Sequence, residues 1–219
     1  MTDCKTAGKI FFVMGKSASG KDTIYKKLLE YFPELKTVTL YTTRPMREGE
    51  TEGVEYHFIG EEQLEAMKSK GRVIEMRTYQ TMYGPWSYAT VEDGQIDLSQ
   101  GSYMMIGTLE SYESIRTYFG ENGAVPIYIE VEDGERLIRA VNREKQQKNP
   151  KYTELCRRFL ADETDFSEEK LAQAGITAEE RYENQELSDC LKNIAGKIEK
   201  TIRRYAQRMI AKFLTFHIK

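Results

Sequence analysis

Three short stretches of this chain, Ile10–Met14, Tyr103–Ile106 and Val125–Val131, are apolar at nearly every position. Such continuous runs predict strands buried on both faces, as in a parallel sheet covered by helices. Between them the periodicity lengthens. Ile24, Leu28 and Leu29 recur at helical spacing and predict a helix over Thr23–Phe32, and similar patterns predict helices over Glu135–Asn142 and Thr153–Gln173. Strands alternating with helices are the signature of βα units, so the fold class is α/β.

The alternation is interrupted after the first helix. Residues 41–100 are rich in Arg, Gly and Tyr at first, then show a helical pattern over Glu61–Lys70 and a period-two strand pattern over Val73–Tyr79. This predicts a small subdomain of 41–100 inserted into a core made of 1–40 and 102–196. Residues 143–158 begin with a polar, proline-containing link between two helices and predict a lid. The last segment, 197–219, is helical in pattern, with Ile198, Ile202, Tyr205, Met209 and Ile210 on one face and Lys200, Arg203, Arg204, Arg208 and Lys212 basic. A membrane-surface or partner-binding helix has this pattern, but so does a terminal helix packed on the core with a solvated basic face, which is the plainer reading.

With 219 residues, 40% of them hydrophobic, the chain is long enough to bury one full core, and the whole of 1–219 is expected to be a single domain. A net charge of −3 spread along the chain gives no general attraction to nucleic acid, so an anionic ligand must be met by a local basic pocket. Cys4, Cys156 and Cys190 are odd in number and far apart, which argues against a disulfide framework and a zinc site and suggests reduced thiols. Neither a membrane span nor a signal-peptide core is present in the pattern, and the expected compartment is the cytoplasm.

The turn between the first strand and the first helix carries the clearest chemistry. Gly15, Gly20 and Lys21 match the G-x-x-x-x-G-K spacing of a P-loop, with Lys16, Ser17, Ala18 and Ser19 between the glycines. The order of strand, glycine turn and helix brings backbone N–H groups, a helix N-terminus and an ammonium onto one polyphosphate. The fold class is therefore a P-loop NTPase-like parallel sheet flanked by helices, with an inserted subdomain and a helical lid. The residue after Gly20-Lys21 is Asp22, where a hydroxyl ligand of Mg²⁺ is usual, and Thr23 follows. Either Asp22 lends an oxygen to Mg²⁺ or it only favours the helix dipole.

A second constellation lies in Thr42–Phe58, where Arg44 and Arg47, turn-forming Gly49 and Gly53, and Tyr56 are types suited to clamping a phosphate. Glu75 ends an apolar strand and Tyr83 follows soon after. A carboxylate in a cleft can accept from a ring N–H and an exocyclic amine, a means of selecting guanine over adenine. Trp86 fits either packing or contact with a base.

On these residues the chain resembles the guanylate kinase family, from about Lys9 to about Gly196. Thr42-Thr43-Arg44, Arg47, Gly49-Glu50, Gly53, Tyr56 and Phe58 match the family's acceptor signature. The resemblance implies transfer of the γ-phosphoryl of ATP, with Mg²⁺, to GMP or dGMP. It implies that Arg44, Arg47, Tyr56 and Tyr83 hold the acceptor phosphate, that Glu75 reads guanine, and that Arg139, Arg143 and Arg158 close over the phosphates from the lid. Asn184 falls at an adenine-side position. The transition state spreads negative charge over the transferred group, so Lys21, Arg44, Arg143 and Arg158 are the expected catalytic cations, and an already anionic nucleophile needs no general base such as His57. The expected partners are ATP and a nucleoside monophosphate, with neither nucleic acid nor membrane, in a monomer or homodimer.

The sequence also departs from that family. Leu40 and Pro85 replace the family's serines around the base, and Gly107 and Leu109, within Ile106–Leu109, replace the two carboxylates that serve the metal and the guanine amine. These differences leave open another phosphorylated acceptor, such as ribose 1,5-bisphosphate or a different nucleotide. A catalytically dead, protein-binding module is disfavoured because Lys21 and both loop glycines are present.

Overall fold

The computed structural model describes residues 8–81 and 84–216, with side chains described up to Arg204 except that of Thr81. In chain order the first half contains β1 (Ile10–Met14), α1 (Lys21–Tyr31), β2 (Lys36–Thr37), β3 (Tyr41–Thr42), β4 (His57–Phe58), α2 (Glu61–Ser69), β5 (Val73–Thr81) and β6 (Gly84–Val91). The second half contains β7 (Tyr103–Gly107), α3 (Leu109–Phe119), β8 (Ala124–Glu130), α4 (Asp133–Lys145), α5 (Tyr152–Asp165), α6 (Glu168–Gln173), a 3₁₀ turn at Ala178–Glu180, β9 (Arg181–Glu183) and α7 (Leu187–Phe216).

Five strands form a parallel sheet in the order β2-β7-β1-β8-β9. Because side chains alternate across a strand, β1 feeds both faces. Ile10, Phe12 and Met14 join Tyr112 and Ile115 of α3 on one side, whereas Phe11 and Val13 join Ile24 and Leu28 of α1 and Ile194 and Ile198 of α7 on the other. This two-sided burial is why β1 has no polar residue. It also fixes the loop after Met14 at the carboxyl end of the central strand, with β7 and β8 on either side, where open α/β sheets place their ligands.

The second sheet is the insert, in the order β4-β3-β6-β5, with the β5–β6 and β3–β6 pairs antiparallel. Ala89, Val91 and Met76 pack with Leu64 of α2 on one face. The opposite face carries Glu75, Arg77 and Tyr79 on β5 and, across from them, Thr90, Tyr88 and Trp86 on β6.

Most element ends differ from the sequence reading by a few residues, and two differences are larger. The helical pattern over Thr153–Gln173 is two helices, because Phe166 is buried, stacking on Tyr128 at 5.7 Å, and Ser167 caps α6 by accepting from the Lys170 N–H. The basic terminal helix is the continuation of α7, and within its described side chains Ile198 and Ile202 pack on the core beside Ile24 and Leu28. Tyr205, Arg208, Met209, Ile210 and Lys212 lie beyond the described side chains, and Cys4 and His217 lie outside the described residues. Cys190 is buried and Cys156 is exposed.

Candidate active site

The glycine loop runs from Gly15 to Gly20 and delivers the chain into α1. Ala18 is held at φ 62°, a left-handed conformation rare for a residue with a Cβ. Gly20 has φ 87°, and a Cβ there would lie 2.5 Å from the Asn184 Nδ2, so both backbone shape and space require glycine. Asn184 explains that closeness. It is buried, its N–H donates to the Glu130 carbonyl at 2.8 Å, and its Nδ2 donates to the Ser19 carbonyl at 2.8 Å. Its amide thus braces the loop from beneath.

A cavity of about 420 Å³ opens in front of the loop. Lys21, Asp22 and Thr23 at the start of α1 line one side together with Ser17, Ala18 and Gly20, and Arg139 and Arg143 of α4 and Arg158 of α5 line the other. Four cations therefore converge on one helix N-terminus. Arg139 is steered by Glu135 at 2.9 Å and by the Asn184 carbonyl at 3.1 Å, and Arg158 by Glu154 at 3.6 Å. Among the described residues, the only acidic group lining the cavity, Asp22, is 78% exposed and 3.8 Å from the Lys21 Nζ.

Lys16 and Ser17 do not face this cavity in the same way. Lys16 pairs with Glu163 at 2.8 Å and Asp133 at 3.4 Å, and the Ser17 N–H donates to Asp162 at 2.7 Å. At the centre lies Arg136, 1% exposed, which donates to Asp133 at 2.6 and 2.9 Å, to Glu163 at 2.9 Å, to Asp162 at 3.3 Å and to the Ser17 carbonyl at 3.1 Å. Burial alone would raise the Asp133 carboxyl, but Arg136 and Lys16 hold it below the usual carboxylate range. This network ties the loop to α4 and α5. Its residues form no motif in the sequence, where Asp133 with Arg136, one helical turn apart, and the Asp162-Glu163 pair are the visible signals.

The insert gathers the second set. Arg44 is buried, forks onto Glu50 at 2.7 and 3.0 Å, and lies over the Tyr56 and Phe58 rings at 5.5 Å each. The Glu50 carboxylate, held low by Arg44 and then by the Arg47 N–H, closes a compact turn in which the Arg47 side chain stays exposed. Tyr88, also missed, sets its ring against Tyr56 at 5.6 Å and Tyr79 at 5.9 Å. Burial raises the Tyr56 hydroxyl and Tyr88 adds to the rise, while Arg44 and Arg77 oppose it. Tyr83 lies outside the described residues. His57 meets Glu52 at 3.0 Å and takes no part in this cluster.

A guanylate kinase family model matches residues 7–211. The chain belongs to the guanylate kinase family. It is 42% identical over 79 residues to a guanylate kinase of Legionella pneumophila (strain Lens), covering 36% of this chain and 38% of that one. It is 32% identical over 115 residues to a guanylate kinase of Helicobacter hepaticus, covering 52% of this chain and 56% of that one. The matched stretches thus span well under two thirds of these curated relatives. A crystal structure of guanylate kinase from Anaplasma phagocytophilum superposes with a TM-score of 0.59 over 90% of this chain and 87% of that one, at 18% identity, and supports the fold.

The departures from the guanylate kinase pattern have physical reasons in this chain. Leu40 packs against the core and Leu109 is buried in it. Gly107 lies where a Cβ would come within 2.8 Å of the Phe12 ring, so a carboxylate there would have to displace core packing. The base-reading candidate, Glu75, is buried and bound within the protein, its oxygens accepting from Arg77 at 3.1 and 3.3 Å and from Thr90 at 3.2 Å. Burial raises its carboxyl above the usual range, against the pull of Arg77.

Proposed function

We propose that the protein is an ATP-dependent nucleoside monophosphate kinase that transfers the γ-phosphoryl group of ATP to GMP or dGMP. The observation that carries this reading is the convergence of Lys21, Arg139, Arg143 and Arg158 on the loop cavity, in a chain whose insert carries Arg44, Arg47 and Tyr56. Phosphoryl transfer needs two phosphates held in line and fixed cations where charge develops, with little covalent chemistry from the protein. In this reading the loop N–H groups and Lys21 hold the β and γ phosphates. Arg143 and Arg158 neutralise the transferred oxygens, and the insert holds the acceptor phosphate through Arg44, Arg47, Tyr56 and Tyr83.

Residues 143–158 act as the lid over a core of 1–40 and 102–196, and 41–100 is the acceptor subdomain. Closure excludes water and suppresses ATP hydrolysis. Among the described residues no helix is long and apolar enough to cross a membrane, and the reading takes the enzyme as cytoplasmic, monomeric or homodimeric.

Mg²⁺ bound with ATP takes only one or two protein oxygens and fills its shell with water and phosphate oxygens. Asp22 and Thr23 fit that role, since both line the cavity and Asp22 is tied only loosely to Lys21. The ion supplies charge stabilisation to the phosphates when bound. The experiment is a coupled assay of ADP formation with GMP, dGMP, AMP, CMP, UMP, IMP and ribose 1,5-bisphosphate. Acceptor-dependent ADP formation with GMP or dGMP supports the reading; preference for ribose 1,5-bisphosphate, or no turnover with any acceptor, overturns it.

A further inference from the structure

We infer that Arg77 sets the acceptor base, making the site a reader of 6-oxopurines that does not require the 2-amino group of guanine. The inference rests on the proposed kinase reading and concerns what that acceptor site recognises. A carboxylate has about four lone-pair sites. On Glu75 three of them are taken inside the protein, Oε2 by the Arg77 Nε and Oε1 by the Arg77 Nη2 and the Thr90 hydroxyl. One remains. Reading guanine by its Watson–Crick edge takes two, one for the ring N–H and one for the exocyclic amine. Glu75 in this setting has room for the ring N–H alone, which guanine and hypoxanthine share.

Arg77 meanwhile adds donors. Its Nη1 reaches the Thr108 hydroxyl at 3.5 Å, which turns the Glu75 and Arg77 face of β5 toward the carboxyl end of the central strands and away from α2. A guanidinium has five N–H groups, and among the described residues three of Arg77 are engaged, by Glu75 twice and by Thr108. The two left over suit carbonyl and ring-nitrogen acceptors such as O6 and N7, the pairing by which arginine recognises guanine elsewhere. They compensate for the hydroxyl donors absent at Leu40 and Pro85. Adenine presents an amine donor where O6 would be, so donor would face donor. The site therefore selects the 6-oxo group through Arg77 and leaves the 2 position unread.

The test compares kcat/KM for GMP, IMP and AMP in the full chain and in Arg77→Met and Arg77→Lys. A ratio of substrates is insensitive to the fraction of protein folded, so it separates recognition from a merely structural role. A hydrogen bond to a charged group is worth on the order of tenfold or more, so GMP and IMP should agree within about tenfold in the natural chain, with AMP about a hundredfold poorer. Arg77→Met frees Glu75 for the amine, and the GMP to IMP ratio should rise by about tenfold, with Arg77→Lys between. A natural chain that prefers GMP to IMP by about a hundredfold, or a ratio unmoved in both variants, overturns the inference while leaving the kinase reading intact. Absence of turnover with all three nucleotides overturns the kinase reading and the inference with it.

Discussion

Replacing Arg136 by methionine should be one of the costliest single changes outside the cavity. The side chain is 1% exposed and fills its site with five donated hydrogen bonds, so methionine keeps much of the volume but none of the charge. Lys16 would then be left to pair with Asp133 and Glu163, and among the described residues Asp162 would keep only the Ser17 N–H. Breaking a buried ion pair costs about 3–5 kcal/mol when the surviving charge stays buried. Here Asp133 and Glu163 are 47% and 41% exposed and can rehydrate, whereas Asp162 is 14% exposed and cannot do so fully. We therefore assign about 2 kcal/mol to the charge imbalance after that discount. The lost bond to the Ser17 carbonyl adds about 1 kcal/mol. The contact over the Phe159 ring, at 4.6 Å, adds about 0.5–1 kcal/mol. The sum, roughly 3.5–4 kcal/mol, corresponds to a fall in Tm of about 7–16 °C for a domain of this size. A thermal melt followed by circular dichroism measures it. Because Asp162 also accepts from the Ser17 N–H, the same variant should raise the KM for ATP more than it lowers kcat. A Tm within about 2 °C of the natural chain and an unchanged KM would refute the view that this network holds the loop.

Further expectations follow from the same geometry. Gly20→Ala places a Cβ 2.5 Å from the Asn184 amide at φ 87°, so calorimetry should find ATP affinity reduced by about a hundredfold or more; unaltered affinity would contradict the loop geometry. Glu50→Gln removes one charge from the Arg44 fork and should raise the KM for GMP several-fold while sparing the KM for ATP, and an equal effect on both would show that Arg44 is not confined to the acceptor side. Cys190 is pushed up to about 11 by burial. Its folded value lies above the unfolded value of about 8.5, so its contribution is fully present below about pH 8.5 and is lost as pH rises through about 11. Denaturant titrations across that window should show a shallower loss in Cys190→Ala; identical slopes would dismiss the contribution.

The core strands were legible because burial on both faces leaves an unbroken apolar run, as in Ile10–Met14, and the loop was legible because its glycines have few substitutes. The short strands β2, β3, β4 and β9 were not, since two or three residues carry no period. The break at Phe166 was hidden because an aromatic residue reads as helix interior until its stacking partner, Tyr128, is known. At the site, residues within a motif could be named from spacing, whereas Arg136, Arg77 and Tyr88 also depend on partners on other strands or helices. Arg77 and Glu75 are two apart, which signals a shared strand face, but only the sheet register sets Thr90 and Tyr88 opposite them. Asn184 shows the reverse: its position was readable, but its partner, the Ser19 carbonyl, is 165 residues away.

The most direct measurement of the central claim follows ATP labelled at the γ phosphate in the presence of GMP. The account predicts that the label appears in the β-phosphate of GDP, with release as inorganic phosphate a minor product, and that Lys21→Met abolishes this transfer. Label recovered only as inorganic phosphate, or GDP formed equally well by the Lys21→Met variant, would contradict it.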